Sequence, residues 1–136
     1  MKTFVGTKPE ILLTVPFFLI IIFSRCTPVE TNSLEVTATA YNSLPGQTHP
    51  DHPSIGAWGD TLRPGIKSIA VSVDLIDSGL VRNTKVEIEG LAGKYIVLDK
   101  MHHRWQKRID IHMGKNADAA MKWGVQNVTI KWKAEK

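Results

Sequence analysis

The sequence predicts a mainly β fold, a small closed six-stranded barrel with one or two short helices, and three observations carry that expectation. Six short segments alternate apolar with polar or small side chains, the period-two pattern of half-buried strands. Strands this short cannot each bury a separate core; rolled into a barrel they bury their inner faces and lose their exposed edges. The 136 residues hold a single cysteine, Cys26, so no intrachain disulfide can staple a looser fold and the core must hold the domain together.

The strands follow one another as residues 34–41 (LEVTATAY), 69–73 (IAVSV), 86–89 (VEIE), 95–98 (YIVL), 109–113 (IDIHM) and 128–132 (VTIKW). The turn Gly90-Leu91-Ala92-Gly93 separates the third from the fourth. A helix is expected over 117–122, with Asn116 as N-cap, Asp118 in the first turn and Gly124 closing it. Asp74 and Asp77 break the strand pattern and suggest a shorter helical turn over 73–78. Between Asn42 and Gly65 stand four prolines and four glycines, too many breakers for a regular element. A loop of that length in a small domain is often functional. Trp123 and Trp132 each end an element with apolar periodicity and read as packing.

Ahead of the barrel, residues 11–23 (ILLTVPFFLIIIF) form an uncharged apolar run preceded by Lys2 and Lys8, the pattern of a secretory signal. A permanent bilayer helix needs about 20 apolar residues, and Pro16 interrupts the run. Residues 1–26 are therefore read as an export signal. Cys26 follows directly where a bacterial lipoprotein carries its lipidated cysteine, although Phe23-Ser24-Arg25 departs from a lipobox. A plain signal or an uncleaved membrane anchor are the alternatives. The expected location is the cell envelope, with residues 27–33 (TPVETNS) as a polar tether and 34–136 as the domain.

Charge excludes little. The chain has 17 Lys+Arg against 13 Asp+Glu. Setting aside residues 1–25, with Lys2, Lys8, Arg25 and Glu10, leaves 14 against 12. That is no basic stripe for nucleic acid.

Three aspartates stand at strand ends: Asp74 in AVSVDL, Asp99 in YIVLDKM and Asp110 in RIDIHMG. Asp110 faces away from Ile109 and Ile111. Taken alone, a solvated carboxylate or an ion pair with Arg104, Lys107 or Arg108 is the plainer reading. The order of motifs adds to it. TATAYNS (37–43), AWGDTLRPG (57–65), KSIAVSVDL (67–75), KVEIEGL (85–91), VLDKM (97–101) and RIDIHMG (108–114) together resemble the three-aspartate domain, a double-psi β-barrel related to membrane-bound lytic transglycosylase A. The resemblance implies peptidoglycan glycan strands as substrate. It also implies cleavage without water, an acid protonating the glycosidic oxygen while the muramic acid 6-hydroxyl attacks the anomeric carbon. Carried over by motif, Asp110 matches the catalytic acid/base, Asp99 the second aspartate of the site and Asp74 the third, with a structural part expected for Asp74 in the turn after its strand. Asp99 as a charged neighbour, together with burial, would raise the pKa of Asp110. The segment 100–108 (KMHHRWQKR) is basic and bulky where the transglycosylases are glycine-rich.

That segment could hold the carboxylates of peptide stems through Arg104, with Trp105 stacking on a sugar. An exposed loop with Trp105 tucked inward is the alternative. Trp58 is divided between cleft wall and core. His102, His103 and His112 with the two aspartates have ligand types that suit zinc. Adjacent histidines on an extended segment point apart, however, and no metal or other cofactor is expected. His49 and His52 fall in the loop and read as solvated. Two functions remain open, a glycan-cleaving enzyme with Asp110 as acid/base and a wall-binding scaffold that keeps the cleft without turnover.

Overall fold

The computed structural model describes residues 29–44 and 51–133. The expected signal, Cys26 and His49 lie outside them. No helix among the described residues is long and apolar enough to cross a membrane. Six strands and two helices follow in the order β1 (Thr31–Tyr41), β2 (Ser68–Val71), α1 (Val73–Asp77), β3 (Lys85–Ile88), β4 (Lys94–Lys100), β5 (Arg108–His112), α2 (Ala117–Trp123) and β6 (Gln126–Lys133). The strands close into a barrel in the order β1-β5-β2-β4-β3-β6. Two neighbouring pairs, β1 with β5 and β2 with β4, run parallel, and the other four are antiparallel. This is the mainly β barrel with two short helices that the periodicity implied.

The alternation puts one face of every strand inside. Val36 and Ala38, Ile69 and Val71, Val86 and Ile88, Val97, Ile109 and Ile111, and Val128, Ile130 and Trp132 share one buried cluster. Leu75 from α1 and Leu80 just beyond it complete that cluster. Trp132 is part of this core and Trp123 packs against it, as expected. The α2 helix is capped as its sequence suggests: Asn116 Oδ1 accepts from the Ala119 N–H at 3.0 Å, and Gly124 ends it at φ 66°.

Most strand bounds shift by one or two residues, β4 running on through Asp99 to Lys100, and two shifts have a clear cause. Strand β1 opens at Thr31, because Thr31, Asn32 and Ser33 pair with Lys133, Trp132 and Lys131 of β6. Polar residues on a paired edge carry no apolar period, so the alternation alone could not mark them. Val73 belongs to α1 and not to β2, its strand-like side chain overridden by the turn that Ser72 starts.

A second, smaller cluster lies on the outer face. Tyr41, Leu62 and Ala70 are buried there, with Leu98 and Met101 packed against them. Leu62 comes from the breaker-rich loop, whose described residues 51–65 fold over the outside of β2 and β4. The polar residues of that outer face, half-covered by loop, become the candidate site.

Candidate functional site

Strand pairing aligns four side chains in one row across the outer face. Thr39 of β1 pairs with Asp110 of β5, Asp110 with Ala70 of β2, and Ala70 with Asp99 of β4. Strict alternation would not put Asp99 there. Ile69 pairs with Val97 and Ala70 with Asp99, so Leu98 is an extra residue in β4. That bulge turns Asp99 onto the face of Ala70, when an unbroken register would have aimed it into the core. The two aspartate backbones are then two strand spacings apart, about 9.5 Å, with only the methyl group of Ala70 between them.

Asp99 is held by three donors. Its Oδ1 accepts from the Ala57 N–H at 2.6 Å and from the Lys100 N–H at 2.9 Å, and its Oδ2 accepts from the Tyr41 hydroxyl at 3.1 Å. Burial, reinforced by the adjacent Asp99 charge, pushes the Tyr41 phenol far above its ordinary range, so it stays a donor. The Ala57 contact depends on a small hairpin in the loop. Ile55 bridges Thr61, the Leu62 N–H donates to the Ser54 carbonyl, and the Gly56 N–H donates to the Asp60 carbonyl. Asp60 in turn accepts two bonds from Arg82, at 2.6 and 2.8 Å, strapping the hairpin to the barrel. Gly56 permits the close approach: a Cβ there would stand 2.8 Å from the Leu98 carbonyl oxygen and 3.3 Å from Asp99 Cγ.

Asp110 has a different environment. Its Oδ1 accepts from the Thr39 hydroxyl at 3.0 Å. Burial pushes its pKa up to about 6, against the opposing effects of the Thr39 bond and the Arg108 charge. The Asp99 charge adds to the rise but is the smallest of these influences, as the two intervening strand spacings require. Both influences expected from the sequence act in the expected direction, and burial is much the larger.

The basic segment walls the site. The Trp105 ring carries the Arg108 guanidinium at 4.1 Å and that of Arg104 at 4.9 Å from its centre. Trp105 and Asp110 both line two adjoining hollows, of about 340 and 370 Å³. Asp99 and Ala57 border the first, Thr39 and Arg108 the second. Asp110 therefore stands where the two meet. Asp74, in the first turn of α1, accepts from the Lys107 N–H at 2.9 Å and pins the far end of this segment, where Lys107 sits at φ 47°. Partial burial acts to raise the Asp74 pKa, but bonds from the Ser72 side chain and from the Lys107, Asp74 and Leu75 N–H groups outweigh it and hold the carboxyl below its ordinary value.

Trp58 packs against the barrel core, and the lining of the two hollows does not include it. His102 and His103 do not point apart. They lie in a turn, with ring centres 4.0 Å apart. Among the described residues no group of three or more His, Cys, Asp or Glu is placed to hold a metal ion. His112 is buried, its Nε2 2.7 Å from the Ser43 hydroxyl, and burial lowers its pKa so that it is neutral at pH 7. A larger hollow, of about 480 Å³, lies over β3 and β6 where Glu87 pairs with Lys94, and none of the candidate aspartates, tryptophans, arginines or histidines lines it.

Thr39, Tyr41 and Ala57 of the motifs, and Gly56 just before one, were not given roles by sequence reasoning. The spacing of Thr39 and Tyr41, two residues apart on one strand face, was the available signal. A backbone N–H such as that of Ala57 leaves none.

No protein-family model matches the chain, and no curated protein matches it by sequence. Solved structures do share the fold. An expansin of Clavibacter michiganensis aligns with TM-score 0.52 and 16% identity over 77% of this chain and 52% of its own. The chain thus spans about half the length of that expansin. The Streptomyces papain inhibitor aligns with TM-score 0.51 and 20% identity over 78% of this chain and 97% of its own. At these identities the likeness shows a six-stranded double-psi-type barrel, and the fold alone.

Proposed function

We propose that the protein is an exported, envelope-anchored enzyme that cleaves peptidoglycan glycan strands by the lytic transglycosylase route, with Asp110 as acid/base. One observation carries the reading: a half-buried carboxyl with its pKa pushed up to about 6 borders two adjoining hollows. A polymer lying through both would place a glycosidic oxygen at Asp110. Near neutrality a useful fraction of such a carboxyl is protonated and able to donate.

In this reading Asp110 gives its proton to the glycosidic oxygen as the bond from that oxygen to the muramic acid C1 breaks. The 6-hydroxyl of the same sugar forms the new bond to C1, and its proton returns to Asp110. No water is consumed, and one carboxyl serves both steps. Asp99, oriented by three donors, acts across Ala70 as a fixed acceptor for sugar hydroxyls. Trp105, braced by Arg104 and Arg108, forms the wall on the other side. Asp74 acts through Lys107 by holding that wall in place. Anchoring through a lipidated Cys26 belongs to the same proposal, and the N-terminal mass of the mature protein tests it.

The function is tested by incubating the full chain with purified peptidoglycan and analysing soluble products by mass. Anhydro-muropeptides that fall at least 1,000-fold in Asp110→Asn, while sedimentation with peptidoglycan persists, support the proposal. Sedimentation without products in the wild type replaces it with a wall-binding scaffold. Neither products nor sedimentation removes peptidoglycan altogether.

A further inference from the structure

A third hollow, of about 440 Å³, lies at the C-terminal end of β5 and belongs to no step above. Its walls are two turns. In the first, residues 63–66, the Ile66 N–H donates to the Arg63 carbonyl at 3.2 Å, with Pro64 and then Gly65 at φ 87° in the type II arrangement. In the second, residues 113–116, the Asn116 N–H donates to the Met113 carbonyl at 3.2 Å. The surface between them is apolar, offered by Tyr95, Ile66 and Met113 over the buried Ile111.

The rim is cationic. Arg63, Lys67 and Lys115 border the hollow, and no carboxylate is among its described lining residues. Lys67 is fixed there, donating to the Ala92 carbonyl and lying 5.7 Å over the Tyr95 ring. An apolar floor under three cations complements a short peptide with small aliphatic side chains and free carboxylates, whereas a sugar needs more polar partners.

Position links this groove to the reacting centre. His112 borders it, two residues beyond Asp110 on the same strand face and so about 6.8 Å along β5. Tyr41, whose ring centre is 5.3 Å from that of His112, lines the hollow at Asp99. The Tyr41–His112 pair is thus the partition between the two. Arg104 and Arg108, the cations on the opposite wall, are stacked on Trp105.

We propose that the groove between the 63–66 and 113–116 turns binds the carboxylate-bearing peptide stem of the glycan whose sugar occupies the hollow at Asp110. This rests on the peptidoglycan reading. It makes stem-bearing glycan the preferred ligand, with Arg63 and Lys115 supplying the preference.

Affinity of the full chain is measured for two glycan fragments of equal length, one with peptide stems and one stripped of them. In parallel, an Ala-Glu-Lys-Ala tetrapeptide is titrated while the amide resonances of Gly65 and Gly114 are followed. The expected result is roughly tenfold tighter binding of the stem-bearing fragment, falling to near parity in the double variant Arg63→Gln/Lys115→Gln. The peptide is expected to shift both glycine amides. Equal affinities in the wild type, or a preference that survives the double variant, overturn the groove assignment. If glycan binds and the peptide shifts nothing, the groove assignment fails and the glycan reading stands. If the peptide shifts both amides and neither glycan binds, the glycan reading fails and the groove remains a site for carboxylate-bearing peptides. If nothing binds, both fall.

Discussion

Replacing Asp110 with asparagine should make the protein more stable at neutral pH while removing its activity. The half-buried carboxyl has a folded-state pKa of about 6 against an ordinary value of 3.8. A folded pKa above the unfolded one means the native state holds its proton longer. Stability is therefore greatest below about pH 4 and declines as pH rises through about 6. At pH 7.5 the ionised carboxylate costs the folded state roughly 3 kcal/mol on this basis. Asparagine is nearly isosteric, keeps an oxygen to accept the Thr39 hydroxyl, and carries no charge to desolvate. Urea unfolding of wild type and Asp110→Asn at pH 7.5 and pH 3.5 reads the difference directly. The variant should gain about 2–3 kcal/mol at pH 7.5 and close to nothing at pH 3.5. A variant no more stable than wild type at pH 7.5, or one with the same gain at both pH values, would refute burial as the origin of the raised pKa.

Three further outcomes follow from the geometry around Asp99 and the basic wall. Gly56→Ala places a methyl group against the Leu98 carbonyl and Asp99 and should cost about 1–3 kcal/mol in thermal or urea unfolding, with a loss of turnover. Tyr41→Phe removes one of the three donors to Asp99 and should destabilise by roughly 1–2 kcal/mol, with a lower kcat/KM on glycan. Asp74→Ala frees the Lys107 N–H, so tryptic cleavage at Arg104 and Lys107 should accelerate several-fold while the barrel's melting temperature changes little.

The barrel was legible because its information is local. Each strand from Leu34 to Trp132 writes its inner face as every second residue, and Asn116 and Gly124 mark the helix ends with their own chemistry. The site was legible only in part. Asp110 stands out as a carboxylate between two isoleucines, and Asp99 as the end of an apolar run. What makes them a site is non-local. The extra residue in β4 that turns Asp99 outward is fixed by pairing with β2, 28 or 29 positions away in sequence. The Ala57 N–H reaches Asp99 across 42 positions, and the Tyr41 hydroxyl across 58. Trp58 took the core position, one of its two expected places, because the loop folds that way. The histidine pair was misread: an extended segment suggested diverging rings, whereas the turn over 102–105 brings them together.

The central claim is that Asp110 drives glycan cleavage by internal attack, without water. Digesting peptidoglycan in water enriched in oxygen-18 and weighing the products tests it most directly. The account predicts anhydro-muropeptides of unshifted mass, absent with Asp110→Asn. Reducing-end products heavier by one oxygen-18 would contradict it.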